Sequence, residues 1–560
     1  MYNNKHLPNF LPILFIFLIG GYLRFFKLNW GQGYFFHPDE YHIAGAVLRL
    51  SLPDKLNPEL FSYGSFSIYL IYFTKLALSV ITPNFKNLSP FLIGRFYSAF
   101  FSSFTIINIY LIGRYVFKSR LTTILSALVV ALVPGLIQQA HFATPESTLT
   151  FFITLSLYLL LKWLKEKELW IILASATALG FAIGTKVTAL TLLPIIVYTP
   201  FLASKNLSGN LLKKIKLSFT LLITTCITFF AAFPYSILDY KKLLASMKYE
   251  VGVAGGKQIV FYTRQFINTT PLIFQYEHIL PYTLGVVLLI FSTLGFLLIL
   301  FKVVINLYRK KVDHSWSVIL SVFLIYFLYN SLLFAKWTRF INPTFPFFVI
   351  FAFYAIETFS EYMKNKNSQK FIFFFLSIIL LVPTLIWQMM FFSIYKKDDV
   401  RITATDWINA NIPSNSFILT ETGNMLEVPL SGKYQKLPFD FYNSERNPYL
   451  FRQLTNSLAE SDYFIVQSRR IFMNNQRLPD QFPLTNNFYN LLFSGKLGFS
   501  KIKEFNSYPQ LVISNKSLVI PDELAEETWS VFDHPVIRIY KKAYAYPANY
   551  YEKILSQQIN

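Results

Sequence analysis

The feature that most restricts how this chain can fold is a recurrence of apolar runs such as LPILFIFLIGGYLRFF, LTTILSALVVALVPGLI and FIFFFLSIILLVPTLIW. Each is about as long as a helix must be to cross the roughly 30 Å hydrocarbon core of a bilayer. Cut at their charged and Pro/Gly punctuation, the runs predict about eleven spans, near residues 9–26, 92–113, 121–139, 148–164, 169–184, 187–204, 217–233, 282–301, 316–334, 341–358 and 371–394. Composition agrees, since 54% hydrophobic against 14% charged residues is the balance of a polytopic membrane protein. The first run lacks a small-residue cleavage site and reads as a retained helix. The single cysteine, Cys226, lies inside an apolar run and reads as a small buried residue.

A net charge of +21 would suggest nucleic acid in a soluble chain, but here its distribution matters more than its size, and no nucleic-acid partner is expected. Five groups of basic residues fall on one side of the predicted spans: Arg114, Lys118 and Arg120; Lys162, Lys165 and Lys167; Lys205, Lys213, Lys214 and Lys216; Arg309, Lys310 and Lys311; Lys364, Lys366 and Lys370. The positive-inside rule makes that side the cytoplasm of a plasma membrane, with the N-terminus there too. The alternating loops then face out: a first loop 27–91, QQAHFATPES, GTKVT, a later loop 234–281, and KWTRFINP. Within the first loop, YHIAGAVLRL and YGSFSIYLIYFTKLALSV read as helices along the interface. A crossing by the second would turn every basic loop outward.

From Lys396 the long apolar runs stop. DDVRITATDWINANIP reads as an amphipathic helix ended by Pro413, SFILTET and DYFIVQS as short buried strands, and HPVIRIYKK as a terminal strand. The predicted fold is therefore mainly α, with a transmembrane domain over 1–395 and a soluble α/β domain over 396–560. An odd number of spans from a cytoplasmic start puts the second domain outside.

Ionisable residues at membrane depth cost about 2.5 to 3.5 kcal/mol each on insertion scales, so those collected on the outer rim call for a function. They are Asp39 and Glu40 in HPDE, Arg95, His141, Glu146, Lys186, Arg264, Lys336 and Arg339. HPDE has a plain alternative: Pro38 suits a first helical position, and carboxylates in a first turn offset the helix dipole. The functional reading is a general base with a neighbour that tunes it, because adjacent acids push their pKa values apart. Lys186, beside Gly184 and Thr185, suits a phosphate at the membrane surface or a stem lifting its ammonium to the headgroups. Lys336, Arg339 and Arg95 admit the same pair of readings. His37, His42, His141 and Glu146 match no compact metal motif.

The order HPDE, GRFYSAFFSSFTIINIYLIGRYVF, PGLIQQAHFATPE, LGFAIGTKVTALTLLP, FPYSILDYKKLLASMKYEVGVAGGK, RFINPTFPF and FDHPVIRIYKK resembles the GT-C superfamily of polyprenyl-phosphate-sugar glycosyltransferases. The branch is the bacterial and archaeal one, akin to protein O-mannosyltransferases and the lipid A aminoarabinose transferase. The resemblance implies that Asp39, and secondarily Glu40, are catalytic, and that Arg95, Lys186, Arg339 and Lys336 hold a donor phosphate. It also maps a further acid onto Glu146, and Tyr63, His141 and Arg264 stand beside it as candidate substrate contacts. Glu146 stands where relatives commonly carry aspartate, and YGSFSIY where they often carry a proline-rich pattern. The implied partners are a polyprenyl-phosphate sugar, a hydroxyl acceptor on a protein, lipid or glycan, and membrane lipids. No cofactor is certain, and a divalent metal stays open. Two competing readings are a lipid or glycan transporter, against which no paired repeats or broken midplane helices are seen, and a non-catalytic family member in envelope assembly.

Overall fold

A computed structural model of the chain describes residues 10–82, 87–202, 211–309, 313–422, 427–514 and 516–556. Of the sequence expectations, Asn9, residues 83–86 of the first outer loop, the 203–204 end of one predicted span, and Lys205, Lys310 and Lys311 lie outside the described residues. The chain divides into two compact units. The first is Met1–Leu28, Asp39–Gln258 and Thr269–Met389; the second is Asn29–Pro38, Ile259–Asn268 and Met390–Asn560.

The first unit is helical, and the chain is a multi-pass membrane protein. Helices α1 (Phe10–Phe25), α2 (Pro38–Arg49), α3 (Phe66–Ile81), α4 (Pro90–Val116), α5 (Arg120–Leu132), α6 (Pro134–Ala140), α7 (Glu146–Glu166) and α8 (Leu169–Thr185) form its N-terminal half. Among the described residues six helices are long and apolar enough to cross a membrane, or seven if α5 and α6, bent by 52°, make one span. Four further apolar helices, α3 among them, are shorter. Cys226, expected buried, is only half-buried on the helix Leu211–Ala232.

The bend between α5 and α6 follows from one residue. Pro134 has no N–H, so the carbonyl of Val130 four residues earlier loses its helical partner. Arg24 of α1, fully buried, takes up the freed acceptors. Its Nη2 donates to the Val130 carbonyl at 3.1 Å and its Nη1 to that of Ala131 at 2.9 Å. Further along, Gly295 lets the helix Val286–Tyr308 meet the helix Phe345–Glu361 closely, because a Cβ there would overlap the Phe351 carbonyl. Small residues at such crossings are how helices pack in lipid, where burial of apolar area offers no drive.

The second unit holds a five-stranded sheet of order β2-β1-β3-β7-β4, from β1 (Phe417–Glu421), β2 (Gln435–Phe439), β3 (Tyr463–Val466), β4 (Phe499–Phe505) and β7 (Ile537–Lys542). A separate hairpin joins β5 (Gln510–Ile513) to β6 (Lys516–Val519). Strand β1 runs parallel to β2 and β3, and β7 antiparallel to β3 and β4. All four residues of β3 are buried, as a central strand covered on both faces requires. Phe464 and Phe488 pack on one face, and Ala404 and Ile408 of the helix Val400–Asn411 on the other. That helix, β1, β3 and β7 stand where the sequence predicts them.

The short N-terminal and middle segments join this unit through ring, cation–ring and hydrogen-bond contacts. The Arg401 guanidinium lies 3.7 Å from the centre of the Phe36 ring, and the His37 and Phe532 rings are 4.2 Å apart. Arg477 donates to the carbonyls of Ile267, Arg264 and Gln265. Nearby, His534 is buried with Nδ1 2.6 Å from Asp533 and Nε2 2.9 Å from Asp522. Burial alone would lower its pKa, but the two carboxylates outweigh it and raise His534 to about 10.

A group whose folded pKa is raised stabilises the fold fully below its unfolded value, near 6.5 for histidine, and loses that contribution as pH climbs through the folded value. Thermal unfolding of the second unit, followed in the full chain, is therefore expected to move to lower temperature between pH 6.5 and about 10. The slope should shrink in His534→Asn; an unchanged slope would count against an imidazolium clamp.

Candidate active site

The two carboxylates of HPDE, adjacent in sequence, have opposite environments. Pro38 starts α2, and Asp39 and Glu40 occupy its first turn, so the helix-start reading is correct as far as it goes. Successive helical residues point about 100° apart, so Glu40 turns inward and Asp39 does not. Glu40 is fully buried. Its Oε1 accepts from Arg95 Nε at 2.7 Å and from the backbone N–H of Ala143 at 2.7 Å, while Oε2 accepts from Arg95 Nη2 at 2.7 Å. Arg95, also fully buried, uses Nη1 on the carbonyl of Leu28 at 2.6 Å. This bidentate fork fixes both side chains.

Asp39 pairs instead with Arg339, and both side chains keep some exposure, 16% and 19%. Arg339 sits on the short helix Thr338–Ile341, its guanidinium 5.0 Å from the Trp337 ring. The next residue, Phe340, lies 4.9 Å under the Lys186 ammonium, and Tyr63 lies 5.8 Å from the same ammonium. Lys186 donates to Glu146 Oε1 at 2.8 Å. Among the described residues, Glu146 Oε2 and Asn342 Oδ1 are buried with no hydrogen-bond partner. One short segment, Trp337 to Asn342, thus reaches the HPDE carboxylate, the lysine turn and, through Asn342 Nδ2 on Thr150 at 3.0 Å, the start of α7.

Gly64 explains how Tyr63 reaches Lys186. A Cβ at Gly64 would overlap the Gly184 carbonyl, and its N–H donates to Thr185 at 3.1 Å. The segment between α2 and α3 therefore lies directly on the GTK turn that ends α8.

The remaining candidates fall elsewhere. His141 is buried with its ring nitrogens 2.8 Å and 3.0 Å from the carbonyls of Ile137 and Phe26, a bracing position. Lys336 donates to Thr269 Oγ1 and the Phe334 carbonyl, and burial lowers its pKa to about 8. Arg264 belongs to the second unit, where it donates to the Tyr442 carbonyl and stacks 4.4 Å from the Phe482 ring. Glu250, absent from the sequence reading, lies within electrostatic reach of Lys186: burial raises its pKa and the lysine opposes the rise. Phe340 and Asn342 were likewise unmarked, since an aromatic and an amide in an apolar stretch carry no signal of their own. No group of three His, Cys, Asp or Glu able to hold a metal ion occurs among the described residues. With Asp39, Glu40 and Glu146 each opposite a cation, the donor set does not form a ready metal centre.

Residues 56–246 match the family model of the dolichyl-phosphate-mannose-protein mannosyltransferases. That stretch contains Tyr63, Arg95, His141, Glu146 and Lys186, but neither HPDE nor Lys336 and Arg339. An uncharacterized protein of Aquifex aeolicus (strain VF5) is 37% identical over 100 residues, 18% of this chain and 20% of that one. The matched segment thus spans about a fifth of that curated relative. The fold is similar to that of the archaeal oligosaccharyltransferase AglB from Archaeoglobus fulgidus, solved with an inhibitory peptide and a dolichol-phosphate. The TM-score is 0.52 at 12% identity, over 86% of this chain and 72% of that one. ArnT from Cupriavidus metallidurans bound to undecaprenyl phosphate aligns at TM-score 0.49 and 12% identity, over 94% of this chain and 97% of that one. The resemblance to the GT-C superfamily drawn from the sequence is borne out.

Removing one partner of a fully buried ion pair costs about 3 to 5 kcal/mol, because the other charge is left in low dielectric, and the cost falls toward the roughly 1 kcal/mol of a surface pair as the charges regain water. Glu40→Gln is therefore expected to lower the thermal midpoint of the purified protein far more than Arg339→Gln. Equal midpoints for the two variants would refute the assigned burial difference.

Proposed function

We propose that this chain is a membrane glycosyltransferase that moves a sugar from a polyprenyl-phosphate donor to a hydroxyl acceptor, with Asp39 as general base. The observation that carries the proposal is the division of labour in HPDE: Glu40 is locked by Arg95 and Ala143, while Asp39 stays partly exposed opposite Arg339. The matching family is one of dolichyl-phosphate-mannose-protein mannosyltransferases, and AglB binds a dolichol-phosphate, which supports a lipid-phosphate donor.

In the proposed reaction the donor phosphodiester, singly charged like the carboxylate, competes with Asp39 for Arg339 by offering the guanidinium two oxygens, and its charge grows as the sugar leaves. The freed carboxylate then accepts the proton of the acceptor hydroxyl as its oxygen attacks the anomeric carbon. The bond from that carbon to the phosphate oxygen breaks, and configuration inverts. Negative charge developing on the leaving phosphate is met by Arg339 and Lys186, in a site whose low dielectric strengthens both contacts. Glu146 holds Lys186 in place between donors. Arg95 acts through Glu40, a change from the phosphate contact expected from the sequence, because its fork is already occupied. The positive-inside reading of the basic loops supports a site on the extracytoplasmic face, with the soluble domain on the same side.

Purified protein incubated with a panel of radiolabelled polyprenyl-phosphate sugars is expected to release polyprenyl phosphate. Asp39→Asn should slow release by about 10² to 10⁴, the usual contribution of a positioned base. Transfer at the parent rate in Asp39→Asn would remove the base assignment, and turnover with a sugar nucleotide but with no lipid donor would remove the donor class.

A further inference from the structure

The β5–β6 hairpin does not obey the rule that the rest of the second unit follows. An antiparallel pair in water normally covers one face and leaves the other polar. Here cross-strand partners Leu511 and Leu518 share one face with Ile513, while Val512 lies on the other face with Val519. Neither face is covered: Val512 is 62% exposed, Ile513 64% and Leu518 56%, and nearby Leu524 is 64% exposed. The hairpin does not belong to the five-stranded sheet, and a lone two-stranded hairpin is marginal in water.

Its root shows what lies beside it. The backbone N–H of Gln510, first residue of β5, donates to Ser393 Oγ at 3.2 Å. Ser393 is in the last turn of the helix Lys366–Lys396, which is long and apolar enough to cross a membrane. That helix stops at Lys396, and the charged run Lys396, Lys397, Asp398, Asp399 follows, the usual mark of the headgroup level. Ser393 lies three residues before Lys396, about 4.5 Å back along the helix at 1.5 Å per residue. Met389, 46% exposed, is the last strongly exposed apolar residue of the helix, and Met390, Phe391, Phe392, Ile394 and Tyr395 beyond it are buried. Ser393 is about 6 Å past Met389 at 1.5 Å per residue, so the hairpin starts just beyond the end of the exposed apolar stretch.

We infer that the β5–β6 hairpin is a membrane-surface anchor: Val512, Ile513 and Leu518 enter the boundary between headgroups and acyl chains of the leaflet at which the helix Lys366–Lys396 ends. The partner is bilayer phospholipid, chosen because the hairpin is continuous with a span end and exposes branched aliphatic side chains on both faces. An interfacial element of this kind buries its apolar side chains about 5 to 10 Å into that boundary. Lys516, paired with Ile513 in the register, supplies a cation able to meet lipid phosphate, as a snorkelling lysine does. The inference is independent of any transferase chemistry.

The test uses the full chain in nanodiscs of phosphatidylcholine and phosphatidylglycerol carrying a shallow nitroxide lipid. Cys226, the single cysteine, is replaced (Cys226→Ser), and an environment-sensitive fluorophore is placed in turn at Val512→Cys, Ile513→Cys, Leu518→Cys and the control Tyr449→Cys, 83% exposed on the helix Pro448–Glu460. All four sites are exposed, so labelling leaves the core intact. The expected result is a blue-shifted probe quenched at least about twofold at the hairpin sites, at interfacial depth, and unquenched at Tyr449. Adding Leu518→Glu should reduce quenching at Ile513→Cys. Equal quenching at the hairpin and at Tyr449, or none at either, would overturn the anchor. Disulfide-linked dimers at Ile513→Cys without quenching would also overturn it, assigning the hairpin to a second copy of the chain.

Discussion

The buried pair of Glu40 and Arg95 is the interaction on which the geometry of the first unit turns. Through one carboxylate and one guanidinium it ties the first turn of α2 to α4, to the Leu28 carbonyl at the end of the first hydrophobic segment, and to the Ala143 N–H just before α7. Two charges out of water are tolerable only because every nitrogen of the guanidinium and both carboxylate oxygens find a partner. The consequence reaches the neighbouring residue. With Glu40 held against Arg95, the helical rotation between consecutive side chains turns Asp39 in another direction, toward Arg339, where it is 16% exposed.

Charge compensation then extends around the site. Asp39 faces Arg339, Glu40 faces Arg95 and Glu146 faces Lys186. Uncompensated charges at this depth would be costly, and pairing keeps the site stable without substrate. The three pairs are not equivalent. Those of Glu40 and Glu146 are buried, while that of Asp39 keeps some exposure. The segment from Trp337 to Asn342 draws these groups together, since Arg339, Phe340 and Asn342 contact three separate parts of the chain.

Much of this was legible in the sequence. The apolar runs and their lengths made a helical membrane protein unavoidable, and the change of composition after Lys396 announced strands that the structure contains. Asp39, Glu146 and Lys186 stood out because charged residues beside apolar runs are costly. The bend at Pro134 and the arginine that serves it were not anticipated together, because Arg24 and Val130 are far apart in sequence. Nor was the attachment of residues 29–38 and 259–268 to the C-terminal unit, which depends on contacts such as those of Arg477 and Arg401. Arg264 shows the same limit. Placed on an outer loop by hydropathy, it makes its contacts within the C-terminal unit.

By itself the sequence determined the class of fold, the positions of the charged residues relative to the apolar runs, and the presence of two adjacent acids at a helix start. These follow from local chemistry: hydropathy over a span, the lack of an N–H at proline, the preference of carboxylates for a first turn. Only the tertiary structure decided which acid is fully buried and which keeps some exposure, that Arg95 pairs with Glu40, that Phe340 and Glu250 come within reach of Lys186, and that Asn342 bonds Thr150. Those outcomes depend on which residues far apart in the chain come within hydrogen-bond or electrostatic reach. Partner choice of that kind is set by helix packing, and no local pattern encodes it.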